Sequence, residues 1–255
     1  MKAIVLAAGY ATRLSPLTDT IPKQLLPVGG RPMLDWILEK VRELEDVDEI
    51  HLVTNARFAA DFADWGEPHG VEVHDDGTTT NDDRLGAVGD LDLVIRRAGL
   101  DDDLLVLAGD NLFDFQLADL RDFWRAKGPD TSALAVYDCG DLELATHYGI
   151  VALDGDDRIV HFVEKPSEPP STLAATVIYL LPQAHARLVA EYLAAGHSPD
   201  NAGSFVAWLA RRAPVYGYAF EGRWYDIGNH GQLLEADNEQ RALVGLPQRN
   251  AYALE

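Results

Sequence analysis

Ala3-Ile4-Val5-Leu6-Ala7-Ala8-Gly9-Tyr10-Ala11-Thr12-Arg13-Leu14-Ser15-Pro16-Leu17-Thr18, with Pro22-Lys23 close behind, is the stretch from which the fold follows. Ala3–Ala7 is a compact apolar run that ends in a glycine turn, which predicts a buried parallel strand. The loop after it is built of small residues and carries one arginine and then one lysine. In such a loop, backbone N–H groups can approach phosphate oxygens while the cations offset their charge. A tight turn after a strand also needs small residues for steric reasons alone, so composition leaves both readings open. Two other phosphate motifs are excluded. There is no Gly-x-x-x-x-Gly-Lys-Ser/Thr loop, and Ala11 and Leu14 occupy the second and third glycine places of a Gly-x-Gly-x-x-Gly fingerprint.

Outward from this stretch, strand and helix signals alternate. After Gly29-Gly30, Pro32 is expected at a first helical position, followed by Met33, Trp36, Ile37, Val41 and Leu44 at helical spacing. Glu49–Thr54 and Val71–His74 read as strands, Leu85–Ala98 as a helix, and Leu104–Ala108 as a second buried run, ending at Gly109-Asp110. Leu117–Ala126 reads as helix and Ala133–Tyr137 as strand. Gly149–Leu153 and Arg158–Val163 flank an Asp-Gly-Asp-Asp turn, a hairpin signal. Ala174–Leu181 is β-rich, and Pro182–Ala195 is helical with Gly196 as its stop. Phe205–Arg212, a strand at Val215–Phe220 and a helix at His230–Leu243 complete the chain. The expected fold class is α/β, a Rossmann-like mixed, mainly parallel sheet flanked by helices, in a single domain over residues 1–255. A carboxylate at the end of a buried strand, as at Asp110, stands where such sheets place ligands, although turn and capping roles are also common for aspartate there.

Twenty-one basic residues stand against 42 acidic ones, a net charge of −21. Such a surface is unsuited to nucleic acid or anionic lipid. The acids are dispersed, as in Asp101-Asp102-Asp103, and form a solvated shell with no acidic tail. Lysine is confined to Lys2, Lys23, Lys40, Lys127 and Lys165. A heavy acid load with little lysine predicts a high-salt cytoplasm, in which stability rises between low and molar KCl. Cys139 is the only cysteine, which excludes an intramolecular disulfide and a cysteine-based zinc cluster. The eight histidines show no ligand spacing; His147, His161 and His230 are expected at the surface or in hydrogen bonds, and Trp36, Trp65, Trp124 and Trp208 in packing. No apolar run is long enough to span a bilayer, and the first one leads into a glycine turn instead of a signal cleavage site, so a cytoplasmic, membrane-free protein is expected. The chain stops soon after the helix near Leu243, which predicts no effector domain.

Four elements carry a resemblance. Thr12-Arg13-Leu14, Pro16, Thr18 and Pro22-Lys23 match most of a signature that runs Gly-x-Gly-Thr-Arg-Leu-x-Pro-x-Thr followed by Pro-Lys, with Ala8 and Ala11 replacing glycines. Gly109-Asp110-Asn111, then Tyr148-Gly149 with Glu164-Lys165-Pro166, then Trp224-Tyr225-Asp226-Ile227-Gly228 follow in order. Together they resemble the sugar-1-phosphate nucleotidylyltransferases, the glucose-1-phosphate thymidylyltransferase branch included. The resemblance implies a Mg²⁺-dependent enzyme that joins a nucleoside triphosphate (NTP) to a sugar 1-phosphate and releases pyrophosphate, with dTTP and glucose 1-phosphate as the leading pair and UTP- or CTP-dependent transfer to another sugar, polyol or choline phosphate as the alternative. It divides the chain into a nucleotide-binding core at about 1–140, a sugar-phosphate part at about 141–228 and a C-terminal helix at about 229–245.

By the same resemblance, Arg13, Lys23 and Asp110 are the catalytic candidates, and Asp110 with Asp226 the metal ligands. Leu6, Ala8, Gly9, Thr12, Arg13 and Lys23 would line the nucleotide. Asn111, Gly149, Glu164, Lys165 and Thr176 would hold the sugar phosphate. The segment Asp75–Ala87 stands where the family reads the base; a glutamine common in thymidylyltransferases is missing, and Thr79, Thr80 and Asn81 are offered instead, ahead of Leu85. Asp226 is free for metal because Asn229 can cap the helix that follows. Relatives often form dimers or tetramers, so a homo-oligomer is among the implied properties. Two rivals stand beside this reading: a module that binds without catalysis, and a nicotinamide oxidoreductase, which the missing glycines disfavour.

Overall fold

The computed structural model describes residues 1–254. Its strands are β1 (Lys2–Leu6), β2 (Pro27–Val28), β3 (Arg31–Pro32), β4 (Glu49–Thr54), β5 (Glu72–Asp75), β6 (Leu104–Ala108) and β7 (Asn111–Phe113). They continue with β8 (Ser132–Asp138), β9 (Gly149–Leu153), β10 (Ile159–Glu164), β11 (Leu173–Leu181), β12 (Val215–Phe220) and β13 (Trp224–Asp226). The helices are α1 (Met33–Arg42), α2 (Ala59–Gly66), α3 (Ala87–Arg97), α4 (Leu117–Lys127), α5 (Leu142–Ala145), α6 (Gln183–Ala186), α7 (Leu188–Ala194), α8 (Ala202–Leu209) and α9 (His230–Leu243).

The central sheet runs β10-β9-β11-β6-β1-β4-β5, with β8 also paired to β11 and β12 to β8. Its N-terminal half is parallel: β6, β4 and β5 all run with β1. Burial on both faces explains why β1 and β6 are continuous apolar runs instead of alternating ones. β11 then joins β6 antiparallel and turns the sheet mixed. One face packs against α1, α2, α4 and α9 through residues such as Ile37, Phe62, Leu120 and Leu233. The other packs against α3, α7 and α8 through Val94, Val189 and Phe205. The result is a mainly parallel sheet flanked by helices, as the alternation of signals implies. No helix among the described residues is long and apolar enough to cross a membrane.

Several boundaries differ from expectation by one to three residues, the Phe205–Arg212 segment being the helix Ala202–Leu209, and three of the differences have a clear local reason. Pro32 is not the first helical residue: it pairs with Pro27 in the β2–β3 hairpin, and α1 starts one residue later. In an isolated two-strand ribbon its missing N–H breaks no ladder. The helix expected from Leu85 begins at Ala87, because Gly86 takes a left-handed φ of 81°. The N–H groups of Ala87 and Val88 are satisfied by the carbonyls of Asp200 and Pro199, at 3.2 and 2.8 Å. The Pro182–Ala195 segment is two short helices, α6 and α7, with Arg187 between them. Helix α2 carried no sequence signal, since only Phe62 and Gly66 of its eight residues are buried.

The β2–β3 hairpin is anchored from the far end of the chain. Asp237 of α9 is fully buried, and it accepts the Gly29 N–H at 2.8 Å while Arg249 Nε lies 3.2 Å from its other oxygen. Removing one member of a buried charged group costs about 3–5 kcal/mol. Asp237→Ala is therefore expected to lose about 3 kcal/mol in urea unfolding, and a loss below about 1 kcal/mol would contradict this anchor.

Candidate active site

Strand β6 ends at Ala108, and after one tight turn the chain re-enters an extended ribbon, β7. That ribbon pairs antiparallel with β13 in a register that sets Asn111 against Asp226. The Ile227 N–H adds a bond to the Asp110 carbonyl at 3.3 Å. Two aspartates 116 positions apart are thus fixed side by side at the carboxyl ends of the parallel strands, where α/β sheets bind ligands. Asn111 is buried and brackets them: its Nδ2 donates to Asp110 Oδ1 at 3.0 Å and to Asp226 Oδ1 at 3.5 Å. Its Oδ1 accepts from Trp224 Nε1 at 2.7 Å, which fixes the amide's orientation.

Lys23 reaches the same point from the third turn of the N-terminal loop. Its buried ammonium donates to Asp110 Oδ2 at 2.5 Å and also to the Ile227 carbonyl. Burial, and next the charge on Asp110, push the Asp226 carboxyl up to about 6; Lys23, Arg13 and Lys165 act in the opposite sense. Two carboxylates crowded in a half-dry place favour a hard cation held by oxygen ligands, so the donor set fits Mg²⁺.

Asp110, Asn111, Trp224 and Asp226 line a cleft of about 720 Å³, with Lys23 behind Asp110. Arg13, Asp110, Asn111 and Asp226 stand along it with Tyr148, Gly149, Glu164 and Lys165. The Arg13 guanidinium and the Lys165 ammonium form no ion pair or hydrogen bond with any other described residue, so both cations are available to a ligand. Arg13 lies over Gly228, where an added Cβ would sit 3.1 Å from Nη2. Glu164 Oε2 is wedged between two glycines: a Cβ at Gly149 would lie 2.9 Å from it and one at Gly203 3.0 Å. Lys165 has φ of 44°, and its N–H is held by the Tyr148 carbonyl at 3.0 Å. Left-handed backbone at a long side chain is strained, and such strain persists where the surroundings over-determine it.

In the loop after β1, Ala11 also takes the left-handed region, with φ 46° and ψ 39°. The alanine that replaces a signature glycine keeps a glycine-like backbone, at a cost of about 1–2 kcal/mol. Thr18 Oγ1 and the Leu14 N–H, each 3.0 Å from the Ala11 carbonyl, hold it there. Asn55 Nδ2 ties down the Ala8 carbonyl at 2.9 Å, while Gly9 and Thr12 are exposed and Leu6 half-buried. In the segment before α3, Asp83 accepts from Thr79 and Thr80, through both the backbone N–H and the hydroxyl of each. Asn81 is exposed and Leu85 half-buried. Asn229 does cap α9, its side chain accepting the Gln232 N–H at 3.0 Å, which leaves Asp226 free.

Thr176 does not reach the cleft. It is fully buried with Oγ1 donating to the Ala135 carbonyl at 2.8 Å, and strand alternation turns Ala175 and Val177 toward the cleft instead. Asn201 and Gly203 at the start of α8, and Gln232 in α9, line the cleft without having carried a sequence signal. Asn201 caps α8 by accepting the Gly203 N–H at 2.7 Å, a visible helix-start pattern whose nearness to the cleft is tertiary.

Beneath the segment before α3 lies a pair of buried acids, Asp76 and Asp90. Burial and then the Asp76 charge push the Asp90 carboxyl up to about 8, and burial pushes Asp76 up too. Asp76 Oδ2 and Asp90 Oδ1 are buried without another partner, and one proton held between the carboxyls satisfies both. The fold retains that proton from the ordinary aspartate value of 3.8 up to about 8, so this contribution to stability is whole below 3.8 and is lost as pH rises toward 8. Asp90→Asn is expected to flatten the fall in stability between pH 5 and 8 by at least about 1 kcal/mol, read by urea unfolding at several pH values; parallel wild-type and variant curves would contradict it.

Comparison with known proteins fits this geometry. A family model described as Nucleotidyl transferase matches residues 2–242. A UTP–glucose-1-phosphate uridylyltransferase of Synechocystis is 31% identical over 241 residues, covering 89% of this chain and 60% of that protein. A bifunctional protein GlmU of Methanocaldococcus jannaschii is 29% identical over 238 residues, covering 93% and 53%. The chain spans a little over half the length of such curated relatives. A solved Bacillus anthracis structure assigned as a glucose-1-phosphate thymidylyltransferase, in complex with a sucrose, superposes with a TM-score of 0.81 at 25% identity, covering 94% of this chain and 95% of that one. The chain belongs to the nucleotidyl transferase family.

Proposed function

We propose that the chain transfers a nucleoside monophosphate from an NTP to a sugar 1-phosphate, giving a nucleotide sugar and pyrophosphate. The observation that carries the reading is the convergence of two carboxylates, Asp110 and Asp226, with Arg13, Lys23 and Lys165 around one cleft. Both substrates are polyanions, so the first task of such a site is to offset their repulsion. Asp110 and Asp226 would hold Mg²⁺, which when bound supplies Lewis-acid neutralisation of phosphate oxygens.

The side chains do the rest by position and charge. A phosphate monoester is already a competent nucleophile, so no general base is needed. Its oxygen bonds to the α-phosphorus as the bond to the oxygen bridging toward the β-phosphorus breaks, and the electron pair departs with pyrophosphate. Lys165, with no competing partner among the described residues, seats the attacking phosphate. Arg13 offsets charge on the leaving pyrophosphate. Lys23 assists it with one remaining N–H, since Asp110 and Ile227 engage two of its three donors. Glu164 and the Gly149 backbone face the sugar. We assign the nucleotide to the part of the chain up to about residue 140 and the sugar phosphate to about 141–228.

The substrate pair we propose is dTTP with glucose 1-phosphate. In its support, relatives of the chain include a thymidylyltransferase-like structure and a glucose-1-phosphate uridylyltransferase, both named for pyrimidine nucleotides. The exposed Asn81 amide carries the donor and acceptor that a pyrimidine edge requires.

The test is pyrophosphate release with dTTP, UTP, CTP, ATP and GTP against hexose, amino-sugar and polyol phosphates. Asp110→Asn and Asp226→Asn are each expected to lower kcat by about 100-fold or more with the fold intact, and wild-type turnover in both would refute the assignment. Lys165→Ala is expected to raise KM for the sugar phosphate about tenfold or more while leaving KM for the nucleotide near wild type; the reverse pattern would invert the site map.

A further inference from the structure

Away from the cleft, strands β4 and β5 bring together three side chains that neither the reaction nor the core requires. The parallel register places His51 opposite Glu72, with His74 two residues further along β5. His51 is 1% exposed and His74 7%. His51 Nδ1 lies 3.1 Å from His74 Nε2. One oxygen of Glu72 is 3.6 Å from His51 Nδ1 and the other 3.7 Å from His74 Nε2. None of the three lines the cleft.

We propose that His51, His74 and Glu72 form a binding site for a transition-series divalent cation such as Zn²⁺, clipping the edge strand of the sheet to its neighbour. Zinc bonds of about 2.0–2.1 Å in a tetrahedron put ligand atoms about 3.3–3.4 Å apart. The two imidazole nitrogens are slightly closer than that and the nearest Glu72 oxygens slightly farther, so binding needs the exposed Glu72 to turn one oxygen toward both rings. Two imidazoles with one carboxylate are a donor set for zinc, and they leave a fourth position for water.

Two further observations point the same way. Position 51 faces a buried layer in which its β1 partner is Ile4 and its next same-face neighbour is Val53. A branched aliphatic side chain would fill that place with no desolvation cost, so a buried imidazole needs a polar purpose. His51 Nε2 is also buried without a well-formed hydrogen bond, although Glu49 Oε2 lies 3.4 Å away. A carboxylate behind one ring nitrogen favours the proton there and leaves the other lone pair for metal.

Charge and proton balance are consistent. With Nε2–H on His51, the present His51–His74 contact needs a proton on His74 Nε2. When the ion enters, that proton moves to His74 Nδ1 and both rings stay neutral. Burial, and in smaller part His51 and Arg97, push His74 down, while Glu72 pushes it up. Arg97, bonded to the Asp75 carbonyl, is the opposing cation; Glu72 and Glu49 outweigh it, although Lys2 shares Glu49 at 2.6 Å. β5 ends the sheet, and its chain runs directly into the segment that carries Thr79 and Asn81, so the clip steadies that segment from below.

The full chain, stripped with chelator, is titrated with Zn²⁺ in excess Mg²⁺ by calorimetry, and with Co²⁺ by visible absorption. One equivalent of Zn²⁺ is expected, with tetrahedral Co²⁺ bands and a Zn²⁺-dependent rise in Tm. Glu72→Gln, on an exposed side chain, is expected to weaken binding about tenfold or more and to leave pyrophosphate release unchanged; His74→Gln, checked for folding by circular dichroism, is expected to abolish both binding and the rise in Tm. Equal affinity in wild type and both variants would overturn the proposal. So would an equivalent that survives His74→Gln but is lost in Asp110→Asn, which would put the ion in the cleft.

Discussion

The three-residue pairing of β7 with β13 is the constraint on which the cleft depends. Each strand has one partner, the other, and their register sets Asn111 beside Asp226. Without it, two like charges 116 positions apart would have no reason to meet, since burial and mutual repulsion both act against Asp226 carrying its charge. The Asn111 amide, oriented by Trp224, and the Lys23 ammonium compensate part of that penalty. What remains is a place whose electrostatics are completed by further positive charge, and Arg13 and Lys165 stand in the same cleft.

Two of the three described non-glycine residues with left-handed backbone stand near that cleft, and the third, Asp157, sits in the β9–β10 turn. Ala11 and Lys165 both hold left-handed backbone, one in the loop after β1 and the other where β10 ends. Each is clamped locally: Thr18 and Leu14 donate to the Ala11 carbonyl, and the Tyr148 carbonyl accepts the Lys165 N–H. In Lys165 the consequence is directional: a strained turn before Pro166 presents an unpaired ammonium at the cleft. The glycines at 149 and 203 have the complementary task of letting the Glu164 carboxylate settle between two backbones.

Much of this was legible in the sequence because it is local. The apolar runs of β1 and β6 are continuous since both faces of those strands are buried, and the Asn229 cap follows from side-chain chemistry at a helix start. The family signature names Arg13, Lys23, Asp110, Lys165 and Asp226 without reference to their meeting. Other features are long-range and leave no local pattern. Strands β7 and β13 are too short for periodicity, and Thr176 reads as a cleft residue until strand alternation turns it inward against Ala135. The spacing of His51 and His74 is unlike a ligand motif, and only the parallel pairing of β4 with β5 brings their nitrogens to 3.1 Å.

The proposed chemistry requires Asp110 and Asp226 to share one divalent ion beside bound phosphates. The most direct measurement is an anomalous-difference map from crystals grown with Mn²⁺ and a non-hydrolysable NTP analogue. A peak bonded to both carboxylates and to a phosphate oxygen is the expected result. A peak on one carboxylate alone, or none between them with the analogue bound, would contradict it.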